Sequence, residues 1–251
     1  LAYSMRFLAE ACEQLGVDAT DLRCLAEGEN WRSEYDISTR MMILSQVKET
    51  LEDKGGSPQA IHFAEVLMQH AELQTLTTSD GGAVRDRYMA DNVQWISRQE
   101  QLSGHGSIFV TGHNSHVAKW GSLDSMGKLL SKDAPNGYYV IGTDFYKTRC
   151  NMPARRPEKR TTQVFYSHDP FAKAAKLAGL DSCWLDFGRI PENSELGRQA
   201  AAYTYMGMLG ESYSPLMRIL PPSYRMFQPP AVLYDSMIFV TEATPTKIGA
   251  A

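Results

Sequence analysis

The sequence has no excess of basic charge: 25 Lys and Arg stand against 29 Asp and Glu, a formal net charge of -4. A nucleic-acid partner calls for a basic excess or stripe, and neither is present. Long apolar runs are missing too. The longest are a handful of residues, against the roughly 20 that a bilayer-spanning helix needs, so no membrane contact is expected. No basic stretch followed by an apolar one opens the chain, so no secretory signal is read. The chain starts at Leu1 and runs at once into a helical pattern from Tyr3 to Leu15. That start leads to the expectation of a C-terminal portion of a longer protein, with the missing N-terminal segment as its partner. Cysteine is scarce: Cys12, Cys24, Cys150 and Cys183 lie far apart without CxxC spacing. Neither a zinc site nor a disulfide framework is expected, and a reducing, cytoplasmic setting is. There is no Gly-x-Ser-x-Gly elbow, no phosphate loop with Lys and no dinucleotide fingerprint. No cofactor is called for.

What is present suffices for a core. Apolar residues make up 43% of the 251 and charged ones 22%, which argues against disorder. The N-terminal part, residues 1–80, reads as mainly helical. Ser38 can cap a helix carrying Met41, Met42, Leu44, Val47 and Leu51, ended by Gly55-Gly56. Ser57 followed by Pro58 is a cap with proline in the first turn, leading into Ile61, Phe63, Ala64, Leu67, Met68 and Ala71. A turn at Ser79–Gly82 precedes a third helix with Val84, Tyr88, Met89, Asn92 and Trp95 near one side. Residues 81–251 then change character. Ser107–Gly112 is β-prone, a helical segment spans Leu123–Leu130, and Tyr138–Gly142 is β-prone again, which together read as a parallel crossover. Further strands are expected at Gln163–Tyr166, Cys183–Phe187 and Met237–Val240, with a helix over Pro170–Ala178. The reading is one α/β domain over 1–251, with a mixed, mostly parallel central sheet flanked by helices and a helical N-terminal section.

Ligands in open α/β sheets bind beyond the carboxyl ends of strands. There the sequence places His113-Asn114-Ser115-His116. Imidazole is largely neutral yet basic near pH 7, which suits a general base, and an Asn amide can stabilise an oxyanion or hold an imidazole tautomer. A His-x-x-His pair is as often a cap or a surface feature, and it is not the His-Glu-x-x-His of zinc proteases. Metal binding would need further ligands from elsewhere, so none is assigned. Arg85, Met89 and Asn92 recur at spacings of four and three on one helix face. A half-exposed face with Arg85 ion-paired explains them equally well. His62 and His70 read as interior or rim histidines, and Arg155–Arg160 as a solvated loop.

In order, these segments resemble the erythromycin esterase family. The resemblance is carried by Arg85–Val93, Ile108–Val117, Met126-Gly127 and Tyr139–Phe145. Weaker echoes are Ala178–Asp181, Leu185-Asp186 and Tyr234–Val240. Where the family usually has His-Asn-Gly-His, this chain has Ser115 in place of Gly. The resemblance implies a deep cleft and hydrolysis of an ester or macrolide lactone by base-activated water. It implies His113 and His116 as catalytic residues, and Arg85, Met89, Asn92 and Asn114 as substrate-binding ones. It also implies an upstream Gly-Glu-x-x-His-Gly stretch; the nearest string here, Ala26–Asn30, lacks the histidine. A non-catalytic accessory protein on the same scaffold, related to exopolysaccharide synthesis, is the alternative, and a metal-dependent hydrolase is another.

Overall fold

A computed structural model describes residues 2–27, 36–121, 124–135, 137–154, 159–210 and 212–245. The basic loop at Arg155–Glu158 and most of the Ala26–Asn30 string lie outside the described residues. The chain divides into two compact units, Leu1–Gln99 and Glu100–Ala251. Among the described residues no helix is long and apolar enough to cross a membrane.

The first unit is helical: α1 (Ala2–Gln14), α2 (Thr20–Glu27), α3 (Ile37–Asp53), α4 (Pro58–Leu73) and α5 (Thr78–Leu102), the last of which runs on past Gln99. Its core joins Met5, Leu8 and Cys12 of α1 to Leu44, Val47 and Leu51 of α3 and to Ala60, Ala64 and Leu67 of α4. The α4 cap is as expected, with Ser57 Oγ accepting from the Ala60 N–H at 3.2 Å and Pro58 in the first turn. The α3 cap is Asp36 rather than Ser38: Asp36 Oδ1 takes the Thr39 N–H at 2.7 Å and the Ser38 hydroxyl at 2.9 Å. A carboxylate two residues earlier outcompetes the hydroxyl, because it offers a charged acceptor to the helix N-terminus. Met42, expected on the apolar stripe, is exposed, and Ile43 takes its place in the core. Ser79–Gly82 forms the first turn of α5 instead of a separate turn.

The second unit holds α6 (Asn114–Val117), α7 (Met126–Asp133), β1 (Ile141–Pro153), β2 (Arg160–Tyr166), α8 (Pro170–Leu177), β3 (Ser182–Asp186), α9 (Glu195–Ala201), β4 (Thr204–Gly207), α10 (Leu216–Ile219), β5 (Arg225–Gln228), α11 (Pro230–Leu233) and β6 (Ser236–Ala243). Its main sheet runs β2-β1-β6-β3, and β4 pairs with β5 in a small second one. The sheet is mixed as expected, but its parallel share is smaller. β1 and β6 are parallel, whereas β1/β2 and β3/β6 are antiparallel. The six residues between Pro153 and Arg160 are too few for a crossover, so β2 must fold back on β1. The β-prone run at 107–112 forms no strand. A strand needs a neighbour's backbone, no described segment pairs with this run, and Phe109 is exposed.

Strand alternation sets which side chains reach the interior. On β1, Gly142 and Asp144 face inward while Ile141 and Thr143 face out. Gly142 must be glycine, because a Cβ there would lie 2.7 Å from the buried Tyr234 ring. Around this packs a core of Val140, Phe171, Met206, Leu233, Tyr234, Met237 and Phe239. Asp235 locks the start of β6 to the approach to β1. Its Oδ2 takes the Val140 N–H at 2.7 Å, and its carboxylate pairs with Lys119 Nζ at 2.6 Å.

Candidate functional site

A cleft of about 450 Å³ opens in the second unit, lined by Gly112, His113, Asn114, Thr143, Asp144, Phe145, Gly207 and Leu209 among others. His113 is the N-cap of α6. Its Nδ1 accepts the Ser115 backbone N–H at 3.4 Å and pairs with the Ser115 hydroxyl at 3.0 Å. Its Nε2 lies 2.8 Å from the Leu209 carbonyl. A carbonyl only accepts, so the proton sits on Nε2 and Nδ1 is the acceptor. The Leu209 carbonyl thus sets the tautomer, and Ser115, the departure from the usual glycine, adds a hydroxyl partner at Nδ1.

Asn114 is joined to the edge of β1. Its Nδ2 donates to the Thr143 carbonyl at 2.6 Å, while its Oδ1 accepts the Thr143 N–H at 3.2 Å and the Thr143 hydroxyl at 3.3 Å. The amide therefore imitates a paired strand residue and ties α6 to the sheet. His116 is half-buried in α6 and gives its backbone N–H to the His113 carbonyl at 2.9 Å. It is not among the residues lining the cleft, whereas His113 is.

The other predicted residues belong to α5 in the first unit. Arg85 is exposed and engaged, and Met89 is half-buried. Asn92 Nδ2 donates to Gln69 Oε1 of α4 at 3.0 Å, and its Oδ1 is buried without a hydrogen-bond partner. His62 behaves as a rim histidine: it stacks flat on Trp95 at 3.9 Å between ring centres, and its Nδ1 meets Glu65 at 3.2 Å. His70 pairs with the Gln74 amide at 2.9 Å.

Sequence reasoning missed a buried acidic cluster in the cleft wall. Asp144 and Asp169 are both buried. Asp144 Oδ2 accepts the Ser167 hydroxyl at 2.6 Å and the Gly207 N–H at 3.0 Å, and its Oδ1 accepts the Phe145 N–H at 2.7 Å. Asp169 caps α8, its Oδ1 taking the Phe171 N–H at 2.7 Å. Burial, then the Asp144 charge, pushes the Asp169 carboxyl up to about 8. Burial likewise raises Asp144 against the pull of its hydrogen bonds. The available signal was a charged residue at an inward phase of a strand, Asp144 between Gly142 and Tyr146. Among the described residues no group of three or more His, Cys, Asp or Glu side chains could hold a metal ion.

A mixed α/β unit whose cleft carries an imidazole, a carboxyl and a strand-edge amide defines the class of an α/β protein with a polar cleft. The erythromycin esterase family matches the chain over residues 12–243, and the chain belongs to that family. No curated protein matches it. A crystal structure of a Bacillus cereus protein superposes with a TM-score of 0.69 at 16% identity, over 98% of this chain and 61% of that one. A succinoglycan biosynthesis protein superposes with a TM-score of 0.69 at 15% identity, over 96% of this chain and 58% of that one. The likeness is one of fold, and the chain spans about three fifths of each of these structures.

Proposed function

We propose that the protein is a hydrolase that cleaves a carboxylic ester or macrolide lactone by direct attack of water, without a covalent intermediate. The observation that carries this reading is His113, held in one tautomer in the wall of an open cleft, in a chain of the erythromycin esterase family. Water adds to the ester carbonyl carbon while a base takes its proton. The tetrahedral oxyanion then collapses and expels the alkoxide, which leaves protonated as the alcohol. The Nε2–H of His113 is a ready oxyanion donor: a substrate oxygen that displaces the Leu209 carbonyl receives the same N–H. Asn114, with both ends of its amide engaged by Thr143, holds the His113 segment against β1. The water-activating base is His116 or a residue of a further N-terminal segment. Arg85, Met89 and Asn92 are proposed to bind substrate on the strength of the family membership. A cytoplasmic setting belongs to the same proposal.

A second reading has its own support. Both ring nitrogens of His113 and both ends of the Asn114 amide are satisfied within the protein, and one structural neighbour is a succinoglycan biosynthesis protein. On that reading the cleft binds without reacting. Hydrolysis of an ester panel that includes erythromycin, followed by mass spectrometry of the acid and alcohol, decides between them. Turnover that persists in a chelator is expected for the water mechanism. Turnover abolished by the chelator and restored by a divalent metal would replace it with the metal-dependent one.

A further inference from the structure

The carboxyls of Asp144 and Asp169 meet in the interior, and among the described residues neither takes part in an ion pair. Asp169 Oδ1 is spent on the first turn of α8, taking the N–H groups of Phe171 and Ala172 at 2.7 and 3.3 Å. Its Oδ2 is buried and finds no donor. The Asp169 carboxyl meets the Asp144 carboxyl, itself an acceptor for Ser167, Gly207 and Phe145. Lys173 of α8 and Arg225 of β5 act on His168, and Arg225 is anchored on the Tyr166 carbonyl at 2.7 Å. From the side of β6, Tyr234 presents a buried, unpartnered hydroxyl that feels the Asp144 charge. Two ionised carboxylates so placed repel in a medium of low dielectric; one proton between them converts the contact into a hydrogen bond.

From Asp144 a short chain of contacts leads to His113. Asp144 Oδ2 holds the N–H of Gly207, the last residue of β4. A Cβ at Gly207 would lie 2.6 Å from Asp144 Oδ1, so glycine is what lets the carboxyl approach the backbone. Met208 gives its N–H to the Tyr224 carbonyl at 2.9 Å, and the carbonyl of the following residue, Leu209, receives the His113 Nε2–H. We infer that Asp144 and Asp169 share one proton and that this acid–carboxylate pair is a positioning device for His113, acting through Gly207 and Leu209. Loss of the shared proton drives the carboxyls apart, loosens Gly207 and frees the Leu209 carbonyl from the imidazole. The arrangement deepens the proposed hydrolytic role, and that role is the reading on which its catalytic meaning rests.

The test reads the imidazole itself. Long-range proton–nitrogen correlation of the assigned His113 ring, followed against pH, reports which nitrogen carries the proton and whether it is bonded. In the wild type the bonded Nε2–H pattern is expected on the acid side of the transition and is lost with a midpoint near the value to which Asp169 is pushed, about 8. Asp169→Asn replaces the shared proton with a permanent amide donor while its Oδ1 still caps α8; in this variant the pattern persists through the same range. If Asp169→Asn does not fold, the wild-type titration alone decides, because Asp144→Asn would set an amide donor against the N–H groups of Gly207 or Phe145. A wild-type ring that shows no change across this range overturns the inference, as does a variant whose ring changes like the wild type. Neither readout needs turnover, so a protein that hydrolyses no ester counts against the proposed reaction and leaves this test intact.

Discussion

His113 is constrained at both nitrogens, by Ser115 on one side and the Leu209 carbonyl on the other, and each constraint can be removed singly. Ser115→Gly restores the residue usual in the family and leaves Nδ1 with only the longer 3.4 Å backbone contact. One hydrogen bond of this kind contributes about 0.5–1.5 kcal/mol, so denaturant unfolding is expected to shift by that amount or less, with hydrolysis retained. Asn114→Ala removes three bonds to Thr143 at once. Because Thr143 is exposed and water can replace part of what is lost, a loss of about 1 kcal/mol is expected. It should come with lower turnover, since the segment carrying His113 loses its tie to β1. An unchanged unfolding midpoint in Asn114→Ala would mean that the amide does not hold α6 to the sheet.

At the scale of elements, the contact between α6 and α7 depends on Gly127, whose missing Cβ is what allows the Val117 backbone to lie against it. Gly127→Ala should therefore destabilise the fold, although Ala is the better helix former by about 1 kcal/mol. In the first unit, the fully buried Leu51 joins α3 to the core, and Leu51→Ala is expected to cost about 2–5 kcal/mol in thermal or denaturant unfolding. The carboxyl pair ties β1, β4 and α8 together and gives stability a definite pH dependence. Its folded value lies above that of an unfolded Asp, ordinarily about 4, so the folded state binds more protons across the window between. The stabilisation is complete below the unfolded value and is lost as pH rises through about 8. Carboxyls lowered by capping bonds, such as Asp36, act in the opposite sense at acid pH, so comparison at pH 6 and above isolates the pair. Wild-type melting temperature should fall on alkalinisation, and Asp169→Asn should reduce the fall. The longer helices α1, α3, α4, α5 and α8, and β2, β3 and β6, were legible because cap residues and alternation are local signals, whereas α2 and the short α9, α10 and α11 were not read. The run at 107–112 was misread because strand propensity says nothing about whether a partner exists.

At the scale of the whole molecule, the cleft-lining His113 and Asn114 were legible as residue types at a chain position, but their hydrogen bonds were not. Leu209 and Thr143 reach them only through the tertiary fold. The Asp144–Asp169 pair was illegible for the same reason: 24 residues separate two aspartates that meet only when β1 and the start of α8 pack together. Arg85, Met89 and Asn92 were found by helical spacing, which places them on one face of α5 and assigns no substrate group to any of them. The most direct measurement of the central claim is kcat/KM for the best ester of a panel, compared among wild type, His113→Ala and His116→Gln. Hydrolysis by the wild type, with both variants folded and slowed by roughly 10²- to 10⁴-fold, is the predicted result. Full rates in both variants, or no ester hydrolysed by any of the three proteins, would contradict it.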